Sequence, residues 1–473
     1  MKTTIAILLT ALLAGCSLAP TFQQPEVETP ARFKELIPEE RGQWKTAQPA
    51  EAQPRGEWWR AFNDPALDQL EFEADAANQN IKALAARVSQ ARALVGVAQA
   101  ERSPRVDAGF GPSRIKPSGD APASTSWRGL LSVSYEVDLF GRVADSIEAA
   151  RGDYEALQAT FQSVRLALQA DVAQIYFALR ESDEELALLR DTVKLREDSV
   201  QLLQRRFDLG DISELDLARA RTELETTRSD AIELERQRAR LEHALATLLG
   251  RAPASFSLPR APLITALPVI PAGLPSWLLE RRPDIAAASR SMAAANARIG
   301  VAKAAFFPLL NLTAQGGYES GQLSDLFKWS SRTWALGPLF GTILSVPVID
   351  GGRNQANLER SYSALEEAVA AYRQQVLVAF AEVEDGLVDV RTLDERAQAT
   401  RAAADSASRA RAIAESRYRS GATGYLDVID AQRSLLSVQR VDTQIRGARA
   451  SSTVALIRAL GGGWDSPVPV ANR

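Results

Sequence analysis

The sequence predicts a mainly α-helical protein with a smaller β part, in which a strand–strand–long-helix unit occurs twice in tandem. Three observations in the 473 residues predict this fold class: an internal repeat, two long tracts without proline, and four stretches in which apolar and polar residues alternate. Helices and strands repeat with different periods, about 3.6 and 2 residues, so spacing alone distinguishes the two kinds of segment.

The composition argues against several classes of protein. Lys and Arg number 55 against 59 Asp and Glu, a formal net charge of −4, whereas nucleic-acid-binding proteins usually carry a basic excess. Cys16 is the single cysteine and His243 the single histidine, which removes an intramolecular disulfide, most metal sites and most acid–base dyads. The sequence contains no glycine-rich phosphate loop and no nucleophile motif. We therefore expect no enzyme, no metal or nucleic-acid site, and no cofactor.

The first residues predict a signal peptide at 1–15. Lys2 precedes an apolar run, Ile5–Leu13, that is too short to span a bilayer as a helix. Leu13-Ala14-Gly15-Cys16 resembles a bacterial lipobox, which implies cleavage before Cys16 and its acylation, with palmitate for example. Ser17, in place of Asp, suggests sorting to the outer membrane. We expect a lipidated, extended segment at 16–57; an ordinary signal peptide with a chance cysteine is the alternative.

The chain repeats itself once. Gly210 and Gly421 are 211 residues apart, and other pairs share that offset: Gly141-Arg142 with Gly352-Arg353, Leu215-Asp216 with Leu426-Asp427, and Leu249-Gly250 with Leu460-Gly461. Upstream, Gly96 and Gly300 are related by an offset of 204. One offset kept over such a distance indicates duplication. We predict repeats at 58–250 and 274–461, a Pro-rich linker at 251–273 and a tail at 462–473.

Two tracts, Val143–Gly250 and Asn354–Gly461, contain no proline and are rich in good helix formers. Their apolar residues step by three, four or seven, as in a coiled coil. Gly210 and Gly421 break the tracts, so each is predicted to form a long helix, a tight turn and a returning helix. The first long helix would extend about 100 Å at ~1.5 Å per residue. That length suits a rod or tube across a wide gap, although a coiled coil without a conduit remains an alternative.

Four stretches predict short strands, at about 105–115, 126–138, 309–319 and 333–348. In the second, apolar residues from Trp127 to Val137 alternate with polar ones, with Leu130 as the exception. Alternation over about ten residues is typical of a membrane strand that faces lipid on one side and water on the other. Trp127 and Tyr135 are candidates for the aromatic girdles of such a sheet.

The fourth stretch, Thr333–Ile349, has no charged residue and could be taken for a membrane helix. Its glycines and prolines and its strand-like repeat partner favour a strand. Lys116–Thr125 and Glu319–Arg332 are predicted to be loops at the hairpin tips.

Four strands cannot close a barrel, and an open sheet edge cannot face lipid. The smallest membrane barrels have about eight strands, so membrane strands would require several copies of the chain, and three copies would supply twelve. A soluble four-stranded sheet is the alternative.

Several local motifs resemble those of the TolC/OprM outer-membrane factors, in particular the outer-membrane efflux lipoproteins of RND-type tripartite pumps. Leu274–Ile285 is similar to the signature at the start of the family's second repeat, and Asp138–Arg142 and Asp350–Arg353 to its strand-to-helix junctions. Arg417–Gly421 followed by Tyr425–Arg433 is similar to its helical turn at the periplasmic tip. The resemblance covers nearly all of the chain from residue 58 to residue 461.

This resemblance implies a homotrimer in the bacterial outer membrane, with a twelve-stranded β-barrel that continues into a periplasmic α-helical barrel. It also implies two partners, a periplasmic adaptor (membrane fusion protein) and an inner-membrane RND-type pump. The chain would be a passive channel for exported small molecules, such as antibiotics, and would be anchored by lipid. A periplasmic adaptor and a channel-free coiled-coil scaffold lipoprotein are the alternatives.

The resemblance further implies a gate at the periplasmic tip. Leu426 and Asp430 would form rings of three, and Asp427 lies one helical step from both. Arg417 and Tyr418, just before the turn, are the expected partners that hold the tip closed. A solvated helix carboxylate is the alternative for Asp430.

The two hairpins differ at this gate. Arg219 occupies the position in the first repeat that is equivalent to Asp430 in the second, so only one hairpin is expected to line the constriction. The exposed turns at Gly210 and Gly421 would meet the adaptor, although both glycines also serve simply to end helices.

Overall fold

The computed structural model describes residues 17–30, 32–35, 56–120, 122–264, 267–268, 270, 281–337 and 344–462. The α-helices of this part are α1 (Pro65–Ala77), α2 (Gln79–Ala100), α3 (Arg142–Asp208), α4 (Glu214–Leu248), α5 (Pro283–Ala304), α6 (Arg353–Arg419) and α7 (Tyr425–Ala459). The strands are β1 (Arg105–Ile115), β2 (Ser124–Val137), β3 (Leu309–Ser320), β4 (Arg332–Leu336) and β5 (Leu344–Ser345). Within these ranges, no helix combines the length and the apolar character that crossing a membrane requires.

The chain divides into two compact units, and each unit takes segments from both repeats. The sheet unit contains residues 17–27, 86–159 and 285–375, and the helical unit contains the described residues of 28–85, 160–284 and 376–462. The repeats are therefore units of sequence, whereas the compact units combine equivalent parts of the two. The reason is that a single strand pair or helical hairpin cannot bury its own apolar face and packs on its counterpart from the other repeat.

The two longest helices, α3 and α6, have 67 residues each and begin with the same cap. Asp138 accepts a hydrogen bond from the backbone N–H of Ala144 at 2.8 Å, and Asp350 accepts one from that of Asn354 at 2.8 Å. These caps satisfy N–H groups that the first helical turn leaves unpaired. The Asp residue of each junction motif is thus explained by helix initiation.

The strands form one antiparallel sheet in the order β1-β2-β3-β4, and β5 pairs with β3 beside β4. The first three strands lie within two residues of their predicted bounds. The fourth predicted strand comprises β4 and β5, with residues 338–343 outside the described part, and it ends earlier than expected, at Ser345. The predicted loops are correspondingly shorter, because β2 begins at Ser124 and β3 continues to Ser320.

The core of the helical unit is aromatic where the chain enters α1. Trp58, Trp59 and Phe62 form a short 3₁₀ turn and are buried against α3, where Phe177 lies 5.0 Å from the Phe62 ring. Asp64 caps α1 through the N–H groups that follow it. The same carboxylate accepts a hydrogen bond from the hydroxyl of Tyr176 on α3 at 2.5 Å. One side chain therefore both starts α1 and joins it to α3.

Candidate functional site: a two-faced sheet and the helical tips

The register of the sheet places apolar side chains on one face. Directly paired residues of antiparallel strands share a face, and Ala108, Leu131 and Gly316 form one such row. The same face carries further apolar side chains on every strand: Val106, Phe110, Val133, Tyr135, Leu312, Trp334, Leu336 and Leu344. Several are exposed in the single chain, Leu131 by 57% and Trp334 by 75%. Exposed apolar surface of this extent indicates contact with lipid or with another chain.

The opposite face is polar. Asp107, Ser132 and Gln315 form the row adjacent to that of Leu131. Nearer the hairpin tips, Arg128 lies directly opposite Glu319, with its Nε 3.0 Å from Glu319 Oε1. Leu130, the exception in the predicted pattern, is paired with Gly109 and Gly317 on its two sides. Because glycines have no side chain, the polar face carries a single bulky apolar group at that level.

In the helical unit, the turns that follow α3 and α6 are built alike. Gly210 has φ +79° and Gly421 has φ +74°, a region that glycine adopts without strain. Leu203 and Leu217 of the first hairpin pack with Tyr425, Val428 and Ile429 of the second in a small apolar cluster. This tip cluster holds the two turns together in one chain.

The predicted gate residues lie on the opposite side of α7 from that cluster. Leu426 is 42% exposed, and Asp427 and Asp430 are exposed as well. The polar contact of Asp430 in this part of the chain is Arg433, at 3.7 Å between Nη1 and Oδ1. The expected contacts of Arg417 and Tyr418 with these carboxylates are not formed within a single chain.

Tyr418 is bound to the first hairpin instead. Arg206, at the end of α3, donates a hydrogen bond from Nη1 to the Tyr418 hydroxyl at 2.9 Å, and its guanidinium lies 5.4 Å from the centre of the same ring. The Tyr418 ring also packs against Tyr425 at 5.2 Å. Arg206 was not predicted as a gate residue. Its sequence signal is weak, because a basic residue in the last turn of a helix is common.

Two turns further from the tips, α4 and α7 are joined by ion pairs that the sequence interpretation missed. Glu223 accepts from Arg433 at 2.8 Å, and Asp230 lies 3.2 Å from Arg440. Acidic residues seven apart on one helix face basic residues seven apart on the other, so the two helices run parallel. Heptad spacing of opposite charges was the signal that could have revealed this pairing.

The contacts of Arg282 show what one residue of the signature motif does. Residues 274–280 of that motif lie outside the described part, but Arg282 is buried, and its Nη1 donates to the Ala459 carbonyl at 3.0 Å and lies 2.6 Å from Glu382. Its other ion pair is with Asp284, at 2.6 Å. The guanidinium thus satisfies the C-terminal end of α7 and fixes it to α6 and to the start of α5. The role of this motif residue is structural.

Cys16, the predicted lipidation site, lies outside the described residues. Among the residues that are described, no group of three or more His, Cys, Asp or Glu side chains is placed to hold a metal ion.

The model of the outer membrane efflux protein family matches the chain twice, at residues 72–251 and 274–462. The chain belongs to this family. The efflux protein is 35% identical over 470 residues to the toluene efflux pump outer membrane protein TtgF of Pseudomonas putida, covering 98% of this chain and 97% of TtgF. It is 35% identical over 471 residues to the outer membrane protein OprJ of Pseudomonas aeruginosa, covering 97% and 95%.

A solved structure gives the same result for the fold. The open state of the Neisseria gonorrhoeae MtrE outer membrane channel matches with a TM-score of 0.81 and 30% identity, over 95% of this chain and 98% of that one. The tandem repeat, the family resemblance, the outer-membrane location and the role as the channel protein of an efflux system are confirmed. The family and these relatives are transport proteins. Lipidation, the gate residues and the adaptor contacts stay predictions.

Proposed function

We propose that three copies of this efflux protein form a passive conduit across the bacterial outer membrane and work with a periplasmic adaptor and an inner-membrane RND-type pump. The observation that carries the proposal is the sheet, with its apolar face, its polar face, and outer edges on β1 and β4 that pair with no other described strand. Such a sheet can face lipid on one side and water on the other.

The two free edges determine how copies associate. Unpaired N–H and C=O groups are too costly in hydrocarbon, so an open edge has to be covered by another strand. Pairing β1 of one copy with β4 and β5 of the next repeats the same contact around a ring. Three copies bring twelve strand positions, which is enough for a closed sheet with a water-filled interior.

The aromatic residues of β2 support a membrane position for this sheet. Trp127 and Tyr135 lie on the apolar face, eight residues or about 26 Å apart along the strand before any tilt. The apolar band of outer-membrane strands is about 25 Å tall and is bordered by aromatic side chains. Phe140 and Phe307, stacked at 4.6 Å, mark the helix end of the sheet.

The exposed residues of α7 would close the conduit. In three copies, Leu426, Asp427 and Asp430 form rings around one axis, and rings of carboxylates attract cations. The side chain of Arg417 is exposed and makes no ion pair in the described part of the chain, so it is free to pair with a carboxylate of a neighbouring copy. Tyr418, held by Arg206, would couple the gate to the first hairpin.

The tip turns are the proposed adaptor contacts. Gly210 and Gly421 are exposed, and apart from their chain neighbours no described residue has an atom within 4 Å of where a Cβ would stand at either of them. Lipid on Cys16 would keep the assembly attached to the membrane.

Single-channel recording in a planar bilayer tests the gate and the channel together. The variant Asp427→Asn/Asp430→Asn should lose cation selectivity or pass larger currents than the wild-type protein. Asp216→Asn is a matched control, because Asp216 is the first-repeat equivalent of Asp427 and lies near Arg219, at 3.7 Å.

Currents unaffected by the double substitution would refute the gate and leave the channel. A soluble monomer without lipid and without conductance would refute the conduit itself.

A further inference from the structure

Residues 17–24, directly after Cys16, form hydrogen bonds to three helices of the sheet unit, α3, α5 and α6. Ser17 donates its hydroxyl to Asp145 Oδ1 of α3 at 2.6 Å. Asn296 of α5 donates its amide to the Pro20 carbonyl at 2.7 Å, and the Gln24 amide donates to the Tyr372 hydroxyl of α6 at 2.6 Å. Residues 17–24 form neither helix nor strand, so these side chains supply hydrogen bonds that regular structure would otherwise provide.

Asp145 is the central group of this contact. It lies in the first turn of α3, eight residues after β2 ends, and is only 4% exposed. Burial raises the pKa of its carboxyl group, and the hydrogen bond from Ser17 and the nearby Ala19 N–H act in the opposite direction. The Ala19 N–H itself donates to Ser17 Oγ at 3.2 Å, so Ser17 links this amide to the carboxylate. A buried carboxylate without a hydrogen-bond donor is costly, so Ser17 and Asp145 stabilise each other.

Gly300 of α5 makes the close approach possible. A Cβ at this position would lie 2.0 Å from Asp145 Oδ2 and 2.8 Å from the Ala19 nitrogen, distances at which atoms overlap. A larger residue at position 300 would therefore displace either the segment or the carboxylate.

The internal repeat provides a natural comparison. Gly96 is the first-repeat equivalent of Gly300, and outside its own helix no described residue has an atom within 4 Å of where its Cβ would stand. The second-repeat equivalent of Asp145, 211 residues later, is Ala356, which has no carboxylate. The duplicated chain thus contains two related positions, and only one of them has the acceptor and is covered by the segment.

We propose that Asp145, Asn296, Gly300 and Tyr372 form a docking site for residues 17–24, and that this site holds the lipid on Cys16 beside the junction of β2 and α3. The inference rests on the proposed lipidation of Cys16. Adjacent Cα atoms are about 3.8 Å apart, so fixing Ser17 also restricts where the acylated residue can lie. The anchor is then a positioned part of the channel, not a tether on a free segment.

Hydrogen exchange at the Ala19 amide measures docking in the purified full-length protein. Gly300→Ala should accelerate this exchange by about tenfold or more, because the local contact no longer closes over the amide. Asp145→Ala removes the acceptor of the Ser17 hydroxyl, which in turn accepts from the Ala19 N–H, and adds no bulk. It should have the same effect and serves as a second test if Gly300→Ala does not fold. Gly96→Ala is the matched control and should leave the exchange unchanged. Slow exchange in both docking variants would refute the docking site.

A second comparison tests the lipid. The same variants are made in the lipidated protein and in a secreted form that begins at Ser17 and carries no lipid, and the fraction of heat-resistant oligomer in outer membranes is measured. If docking positions the lipid, the docking variants lower this fraction several-fold more in the lipidated form. Equal losses in both forms would show that the segment is only a packing element. Mass spectrometry that finds no lipid on Cys16 would refute the anchor, while the exchange measurement still decides the docking.

Discussion

Glu181 illustrates how one close contact between helices changes a protonation equilibrium. Its carboxylate lies on the backbone of α7, where a Cβ on Gly447 would be 2.0 Å from Glu181 Oε2. Burial, and secondly the charge of Glu185, raise the pKa of Glu181 from 4.5 to about 7. Gly447 therefore provides the space in which a carboxyl group is protonated more easily than in water.

The substitution Glu181→Gln should change the pH dependence of stability. Between about pH 4.5 and pH 7 the folded chain keeps a proton on Glu181 that the unfolded chain releases, so the free energy of unfolding falls as the pH rises through this interval. Gln stays neutral, so the advantage of the variant in melting temperature should increase from about pH 5 to about pH 8. Glu225→Gln, at an exposed site, should give a curve parallel to that of the wild-type protein. A parallel curve for Glu181→Gln would contradict the expectation.

At the scale of elements, the parallel pair α4 and α7 depends on charges that are partly removed from water. Arg440 contacts Asp230, and its Nε also lies 2.7 Å from Glu185 Oε1 of α3. Glu185 is almost completely buried, and the Gln444 amide is farther from its carboxylate, at 3.4 Å. Arg440 thus pairs with carboxylates on two helices, Asp230 of α4 and Glu185 of α3.

Arg440→Met should destabilise the folded chain, because it leaves the Glu185 carboxylate buried without a counter-charge among the described residues. The loss should be about 2 kcal/mol, below the ~3–5 kcal/mol of a fully buried pair, because the Arg440 side chain is 33% exposed. Methionine retains most of the aliphatic volume, so the effect reports on charge more than on packing. Denaturant unfolding measures it. Arg236→Met removes an exposed pair with Glu233 and is expected to have little effect. Similar losses in the two variants would show that the burial of Glu185 is unimportant.

At the scale of the whole molecule, different surfaces of one chain need different surroundings. In the proposed assembly the apolar face meets lipid, whereas the polar face and the exposed side of α7 meet water. A single copy leaves the outer edges of the sheet unpaired with any described strand, and it leaves the side chains of Leu426, Asp427 and Asp430 exposed. In the proposed assembly, one repeated contact between copies would satisfy all of these surfaces.

Leu131 and Ser132 are neighbours on opposite faces and give a direct test. Leu131→Arg should destabilise the assembled protein in lipid vesicles by about 2–4 kcal/mol, the usual penalty for a cation on the lipid face of a membrane strand. Ser132→Arg should be tolerated, because it lies beside Asp107 on the polar face, and should instead change ion selectivity. Denaturant unfolding in vesicles and bilayer recording measure the two effects. Equal stability of the two variants would exclude a lipid-facing role for the Leu131 face.

The sequence by itself determined the elements and their order. Alternation around Leu131 indicates a two-faced strand, and Gly210 and Gly421 mark the turns, because strand pleating and left-handed φ angles depend on only a few neighbouring residues. The equal offset of repeated motifs revealed the duplication without any structure.

Only the tertiary structure decided which side chains meet. Arg206 bonds to Tyr418 across 212 residues, Ser17 bonds to Asp145 across 128, and neither pair has a local signal. The compact units, which combine parts of both repeats, are likewise invisible in the chain order. Such contacts depend on how whole helix faces pack. Asp430 and Val428 lie two residues apart on the same helix, yet Asp430 is exposed and Val428 is buried because their side chains point in different directions.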